Sequence, residues 1–180
     1  EIIDNFKINH FYMPDVITTT KTFENMLDAL ESQNLKYTTP KIGSKFNFEG
    51  ANIEVLYVGK DAKDLNNTSI VVKMTYGEKS FLFTGDAEDV VEKQILNKDL
   101  KSDVLKVGHH GSKTSSSKEF INEISPKYSI ISVGKKNRYG HPNKEVLFNL
   151  ENSKIYKTDT DGSIMFKVKN NKLEIKTCTP

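Results

Sequence analysis

The feature that most constrains this chain is a short apolar run that ends in two adjacent histidines between glycines. Residues 104–107 read Val-Leu-Lys-Val, and residues 108–112 read Gly-His-His-Gly-Ser. A short run with β-branched residues at both ends indicates a buried β-strand. Glycine tolerates positive φ and lets other groups approach the backbone closely. The stretch 104–117 therefore predicts two imidazoles on a turn after a buried strand, where open α/β sheets place their chemistry.

A second apolar run ends in an acid. Residues 81–86 read Phe-Leu-Phe-Thr-Gly-Asp, and Asp86 lies 24 residues before His110, with a helical pattern between them. Strand, acid, helix, strand and histidine follow the order of a βαβ unit. Such a unit brings a carboxylate and an imidazole to one sheet edge, and this pair suits a divalent metal such as zinc or manganese.

The composition indicates one ordinary globular domain. The chain has 180 residues, of which 36% are hydrophobic and 28% are charged, enough for a sizeable core. The net charge is only +2, so bulk charge does not indicate a nucleic-acid partner, although a local basic patch is compatible with one. The single cysteine, Cys178, excludes a disulfide within these residues. No apolar run approaches the ~18 residues of a membrane helix.

The remaining periodicity predicts an α/β domain. Helices are expected after a cap at Thr20 or Thr22, over 87–96 with Asp86 as the cap, around 120–124, and from Pro142 onward. Residues 69–76 and 79–84 predict a β-hairpin, and residues 59–67 predict a loop. Further strands are expected over 7–12, 46–48, 53–58, 128–133, 155–156, 163–168 and 173–176.

Four ordered motifs resemble the metallo-β-lactamase fold. They are Thr84-Gly85-Asp86, the segment 103–112, Ser132-Val133-Gly134 with 137–142, and the segment 158–162. The chain is most similar to the metal-hydrolase domain of the ComEC/Rec2 family of DNA-uptake channels and its free-standing relatives. The resemblance implies an αββα fold with mixed sheets and outer helices. It makes residues 1–180 a single domain equivalent to the C-terminal two-thirds of that fold.

The resemblance also implies metal ligands. It assigns Asp86 to a position that often bridges two metals in the family, whereas an N-cap carboxylate is the simpler alternative and is compatible with that role. Adjacent residues at a strand end point in different directions, so the two histidines are not expected to bind one ion equally. We predict His110 as the ligand and His109 as a catalytic group lining the pocket, with the reverse order still open. One or two ions of zinc or manganese are implied.

Other residues are predicted on the substrate side of the site. His141 is expected to hydrogen-bond a phosphoryl oxygen or to protonate a leaving group; the alternative is a structural histidine at a helix start. Arg138 is expected to add a bidentate phosphate contact. Ser112 is expected to donate to a phosphate, with ordinary turn chemistry as the alternative. Asn67 resembles a family position near the pocket.

One family motif is missing from the 180 residues. The primary metal cluster of the family reads H-x-H-x-D-H or H-x-D-x-D-H, and neither pattern occurs here. His10 does not match it in spacing and is expected to bind no metal. The chain is therefore expected to begin downstream of the cluster and to bind metal incompletely, because a catalytic site uses about three protein ligands and an open position.

The function implied by the resemblance is a metal-dependent phosphodiesterase or nuclease linked to DNA uptake. Its partners would be a phosphodiester substrate such as DNA and a membrane channel in the parent protein. One alternative keeps the enzyme but gives it a small substrate, such as a phosphocholine diester. The other alternative is a truncated or degenerate domain that binds without catalysis. A channel-linked domain is expected on the extracytoplasmic face of the membrane, and a free-standing one is expected to be secreted or cytoplasmic.

Overall fold

The computed structural model describes residues 2–60 and 64–178. None of the helices within these ranges is both long enough and apolar enough to cross a membrane. The helices are α1 (Ile2–Asn5), α2 (Lys21–Ser32), α3 (Asp89–Ile95), α4 (Lys118–Ile124), α5 (Lys144–Asn149) and α6 (Thr158–Asp161), with 3₁₀ turns at Asn66–Thr68 and Gly108–Gly111. The strands are β1 (Phe11–Tyr12), β2 (Tyr37–Thr38), β3 (Lys45–Phe48), β4 (Ala51–Val58), β5 (Ile70–Tyr76), β6 (Lys79–Phe83), β7 (Val104–Lys106), β8 (Tyr128–Ile131), β9 (Lys154–Lys157), β10 (Ser163–Lys169) and β11 (Lys172–Cys178).

A seven-stranded mixed sheet forms the centre of the fold, in the order β3-β4-β5-β6-β7-β8-β9. The strands from β3 to β6 are antiparallel, and those from β6 to β9 are parallel. In the parallel half, α3, α4 and α5 are the crossovers between successive strands. The carboxyl ends of β6, β7 and β8 therefore lie side by side, and they are followed by Asp86, His110 and Ser132.

The hydrophobic core lies between the central strands and these crossover helices. Leu82 of β6 and Leu105 of β7 are buried in one cluster with Val91 of α3, Phe120 of α4 and Val146 of α5. Complete burial of an apolar side chain of this size stabilises the fold by roughly 1.5–3 kcal/mol. The core thus fixes the parallel strands against the helices that connect them.

The hairpin of β10 and β11 covers part of the opposite sheet face. Its Phe166 ring makes edge contacts with Phe81, at a centroid distance of 6.1 Å, and with Tyr128, at 5.8 Å. The hairpin turns at Asn170 and Asn171, both with positive φ, as the sequence predicts. A groove of about 570 Å³ remains between hairpin and sheet, lined by apolar side chains that include Met74, Phe83 and Ile164.

The predicted α/β class and most predicted elements are confirmed. The β6–α3–β7 unit and the β5–β6 hairpin both form, the latter across Gly77 at a φ of 58°. Helix α2 begins where its cap predicts, because the Thr20 hydroxyl accepts a hydrogen bond from the Phe23 N–H at 3.3 Å.

The predicted cap of α3 is wrong. Glu88, not Asp86, occupies the N-cap position, and the helix begins at Asp89. The reason is a turn: Gly85 has a φ of 58°, and the Ala87 N–H donates to the Thr84 carbonyl at 3.2 Å. This turn displaces the helix and leaves the Asp86 carboxylate free of capping.

Other boundaries also differ from prediction. Helix α5 is capped by Asn143, whose side chain accepts from the Glu145 N–H at 3.0 Å, so Pro142 precedes the helix. The strand predicted over 7–12 is shorter in the structure, Phe11–Tyr12, and pairs with the two residues of β2. Part of the loop predicted over 59–67, residues 61–63, lies outside the described residues.

Candidate functional site

Asp86 and His110 meet at the carboxyl edge of the parallel strands. The distance from Asp86 Oδ1 to His110 Nε2 is 3.7 Å, and each side chain is about half exposed, 44% and 49%. The backbone N–H of Asp86 donates to the Ser69 hydroxyl at 3.0 Å. The two predicted metal ligands are therefore neighbours, with both donor groups open to solvent.

A backbone carbonyl fixes the tautomer of His110. Its Nδ1 lies 2.7 Å from the Ser132 carbonyl oxygen. Because a carbonyl only accepts, Nδ1 carries the hydrogen, and a neutral ring then has its lone pair on Nε2. That nitrogen is the one that faces Asp86. Metal-binding histidines are typically oriented in this way by an acceptor on the other ring nitrogen.

The histidine turn has an unusual backbone. His109 and His110 have φ values of 45° and 56°, in the left-handed region where few non-glycine residues lie. The turn is held by bonds from the His109 N–H to the Gly85 carbonyl, 3.1 Å, and from the Ser112 N–H to the His109 carbonyl, 2.8 Å. The flanking glycines predict such a turn, but His109 and His110 themselves adopt the left-handed conformation. Strained residues of this kind concentrate at functional sites.

His109 faces a different acid from its neighbour. Its Nδ1 lies 3.3 Å from Glu88 Oε1, and the Thr114 hydroxyl donates to the same oxygen at 2.7 Å. The two adjacent rings thus diverge, His110 toward Asp86 and His109 toward Glu88. The sequence pattern does not indicate Glu88; its only signal is its place two residues after Asp86.

Asn67 and Ser112 are engaged in internal hydrogen bonds. Asn67 is buried, with its Oδ1 accepting from the Glu88 N–H at 2.9 Å and its Nδ2 donating to Asp64 Oδ2 at 2.5 Å. Ser112 is also buried, and its hydroxyl lies 3.0 Å from that of Thr114. Both side chains therefore position the acid and the turn around His109.

His141 completes a row of rings at this edge. Its ring centroid lies 5.9 Å from that of His109, and Tyr139 stacks on its other side at 5.6 Å. Burial lowers the pKa of His141 below its usual 6.5, and the nearby His109 and His110 lower it further. The imidazole is consequently neutral at pH 7. Arg138 is exposed in the loop that carries Tyr139.

The last motif has a structural task. The Thr158 hydroxyl accepts from the Val133 N–H at 2.7 Å and donates to the Val133 carbonyl at 2.9 Å. Asp161 accepts from the Lys157 N–H at 2.8 Å. The two Thr158 bonds join the end of β9 to the segment that follows β8, next to the Ser132 carbonyl that orients His110.

The donors present fit part of a metal site. Asp86 and His110 supply one carboxylate and one oriented imidazole, a suitable pair for zinc or manganese. Among residues 2–60 and 64–178, no three His, Cys, Asp or Glu side chains come together around one ion. His10 is exposed and stacks near Tyr12, at 6.4 Å, which in turn stacks on Phe46 of the far edge strand β3.

The chain belongs to the metallo-beta-lactamase superfamily, whose family model matches residues 2–135. It is 34% identical over 174 residues to ComE operon protein 3 of Bacillus subtilis (strain 168), across 94% of this chain and 22% of that protein. It is 34% identical over 128 residues to Competence protein ComA of Neisseria gonorrhoeae, across 68% of this chain and 18% of that protein. The resemblance to the ComEC/Rec2 family is thereby confirmed.

The fold itself is also found in a solved structure. A CmlA beta-hydroxylase variant superimposes with a TM-score of 0.54 and 8% sequence identity, over 82% of this chain and 38% of that one. This likeness shows the fold alone. The chain spans about a fifth of the length of the curated relatives that it matches.

Proposed function

We propose that this chain carries part of the active site of a metal-dependent phosphodiesterase that acts on DNA. The observation that carries the proposal is the pairing of Asp86 Oδ1 with His110 Nε2 at 3.7 Å, with the His110 ring oriented by Ser132. The competence relative adds the link to DNA uptake. Hydrolase activity, metal dependence and substrate are all part of this proposal.

The residues divide the chemistry between them. Asp86 and His110 would hold a divalent metal, and such a metal would supply an activated water and stabilise charge on the phosphoryl oxygens. His109, whose Nδ1 is turned to Glu88, presents Nε2 to the substrate. His141 is neutral at pH 7 because burial lowers its pKa, so it accepts or relays a proton at its free ring nitrogen.

The remaining ligands come, in this proposal, from residues outside the 180. Two protein donors are fewer than a catalytic metal site uses. In the parent protein we place the domain beside a membrane channel, on the extracytoplasmic face. The chain's small share of its competence relatives supports only a larger parent protein.

A second candidate is a domain that binds without catalysis. It is favoured by the absence, in the described part of the chain, of any three-donor cluster. The third candidate is an enzyme that acts on a small phosphodiester, such as a phosphocholine ester. It would use the same two ligands, Asp86 and His110. Substrate and metal assays separate the three.

The test compares the 180-residue chain with a longer form of its parent protein that includes a histidine–aspartate cluster. We expect the short chain to retain little metal after dialysis and to leave bis(p-nitrophenyl) phosphate intact, because it lacks ligands. The longer form should hold stoichiometric metal and cleave the diester with manganese or zinc. Asp86→Ala should abolish both properties, whereas Asp89→Ala, an exposed acid paired with Lys93, should not.

Each contrary result points elsewhere. Full metal content and full activity in the short chain would refute the incomplete site. Cleavage of p-nitrophenyl phosphorylcholine in place of DNA would favour the small substrate. A longer form without metal or activity would favour the binding domain.

A further inference from the structure

The loop between β8 and α5 concentrates positive charge. Residues 134–141 read Gly-Lys-Lys-Asn-Arg-Tyr-Gly-His, and we call this segment the basic loop. Its three cationic residues, Lys135, Lys136 and Arg138, are exposed, and the segment holds no acid. Tyr139 is 81% exposed, the largest exposure among the large hydrophobic side chains of the described residues. The loop therefore combines one exposed aromatic ring with three exposed cationic side chains.

Internal hydrogen bonds hold the basic loop in place. Asn137 Nδ2 donates to the His141 carbonyl at 2.9 Å and to the Gly134 carbonyl at 3.2 Å. Asn137 Oδ1 accepts from the His141 N–H at 2.8 Å. One side chain thus closes both ends of the loop, so Tyr139 is presented from an ordered base.

The exposed ring leads directly to the candidate site. Tyr139 and His141 stack with centroids 5.6 Å apart and planes 17° apart. His141 is followed by His109 at 5.9 Å, and His109 by His110 at 6.4 Å. A ligand on Tyr139 would therefore lie at one end of a row of rings that reaches His110.

We propose that the basic loop binds single-stranded nucleic acid, with one base stacked on Tyr139 and the backbone phosphates held by Lys135, Lys136 and Arg138. Every base has a π-face, and base–aromatic stacking beside a cationic groove is how proteins hold single strands without reading sequence. In a duplex the base faces are already stacked, so Tyr139 would contribute nothing. Delivery of the adjacent phosphodiester to His141 and His109 rests on the proposed function; strand binding does not.

The charge of the loop argues against a phosphocholine ligand. An aromatic ring attracts a quaternary ammonium group. The basic loop carries three exposed cations within four residues of Tyr139, and these disfavour a cationic ligand and favour a polyanion.

The test measures binding of the 180-residue chain to fluorescein-labelled oligonucleotides by anisotropy, in EDTA so that neither metal nor cleavage contributes. The probes are an oligothymidine, a duplex of equal length and an abasic oligomer. Tyr139→Ala should weaken oligothymidine binding by about five- to hundredfold, the measured range for one stacked base. Tyr139→Phe should retain it. Tyr37→Ala, which removes an exposed tyrosine of the separate β1–β2 sheet, should have no effect.

Salt dependence separates stacking from phosphate contacts. Lys135→Gln and Lys136→Gln should each reduce the slope of log affinity against log salt by roughly 0.7. Tyr139→Ala should leave that slope unchanged. Binding to the abasic oligomer should lose nothing on Tyr139→Ala.

Three results would overturn the proposal: no binding by the wild-type chain, equal binding of duplex and single strand, or equal loss on Tyr139→Ala for abasic and base-bearing probes. Circular dichroism checks that each variant is folded. If strand binding persists while the longer form cleaves nothing, the proposed function fails and the strand-binding loop stands.

Discussion

The carboxylate of Glu92 accepts a hydrogen bond from the backbone N–H of Ser117 at 3.0 Å. It accepts a second from the N–H of Ser116, and the side chain is buried. Glu92 belongs to α3, whereas both serines follow the histidine turn. One carboxylate therefore anchors the segment that leads from His110 into α4.

Replacing that carboxylate should destabilise the fold. Glu92→Gln leaves one acceptor oxygen and sets an amide N–H₂ against a backbone donor, so one buried N–H loses its partner. We expect a loss of about 1–3 kcal/mol in the free energy of unfolding, measured by urea denaturation. Glu119→Gln, on the exposed face of α4, is the control. Equal effects of both changes would contradict this role.

The same residue should make stability depend on pH. Burial raises the pKa of Glu92 above its usual 4.5, although the bonds from Ser117 and Ser116 oppose the shift. The Glu92 carboxyl then keeps its proton to higher pH in the folded state than in the unfolded state. The stabilisation that this difference gives the fold is present below pH 4.5 and is lost as pH rises through the folded pKa. The cost of Glu92→Gln should thus shrink as pH rises from 4 to 7. If the stability loss in Glu92→Gln grew from pH 4 to 7, the pKa of Glu92 would be lowered in the folded state and not raised.

Gly111 should tolerate no side chain. Its φ is 81°, and an added Cβ would lie 2.7 Å from the Cβ of Pro142. Gly111→Ala should cost about 1–2 kcal/mol for the left-handed backbone and a further 1–3 kcal/mol for crowding. Gly43→Ala isolates the first part, because Gly43 has a φ of 83° and open space around it. Thermal unfolding of both variants compares their losses of stability. Equal losses would show that crowding against Pro142 contributes nothing.

The pKa of His141 should depend on its neighbour His109. The chain has four histidines, so the His141 ring signal can be assigned by NMR. His141 should titrate below 6.5, and His109→Ala should raise its pKa, because that change removes a neighbouring positive charge. An unchanged His141 pKa in His109→Ala would show that His109 does not contribute to the shift, which would then come from burial and His110.

Metal titration should distinguish the adjacent histidines. Zinc binding to the 180-residue chain should be weak and should disappear in His110→Ala, because His110 alone faces Asp86. His109→Ala should keep binding close to wild type, as should the control His10→Ala. Competition with a chromophoric chelator measures the affinities. A larger loss of zinc affinity in His109→Ala than in His110→Ala would make His109 the metal ligand and His110 the pocket residue.

The meeting of Asp86 and His110 was predictable because it follows from topology. Apolar runs fix β6 and β7, the helix between them makes the strands parallel, and residues after parallel strands share an edge. The sequence motifs after each strand then specify the side chains. No long-range detail enters this inference.

The partners of those residues were not predictable, because they depend on single turns. The turn at Gly85 moves the helix cap from Asp86 to Glu88, and only then does Glu88 reach His109. The sequence predicts Asn67 near the pocket, but it does not predict that its amide bonds to Glu88 and Asp64. Side-chain hydrogen bonds of this kind have no periodicity in the sequence.

Because Asn137 closes the basic loop, changes at the loop tip are separated from the position of the His141 backbone. Only residues 138–140 lie between Asn137 and His141, whose backbone carbonyl and N–H both bond to the Asn137 side chain. Arg138 and Tyr139 can therefore be exchanged, or the tip lengthened, while Asn137 keeps the His141 backbone in place. What the protein selects as a ligand is free to diverge among related chains without disturbing the groups that act on it.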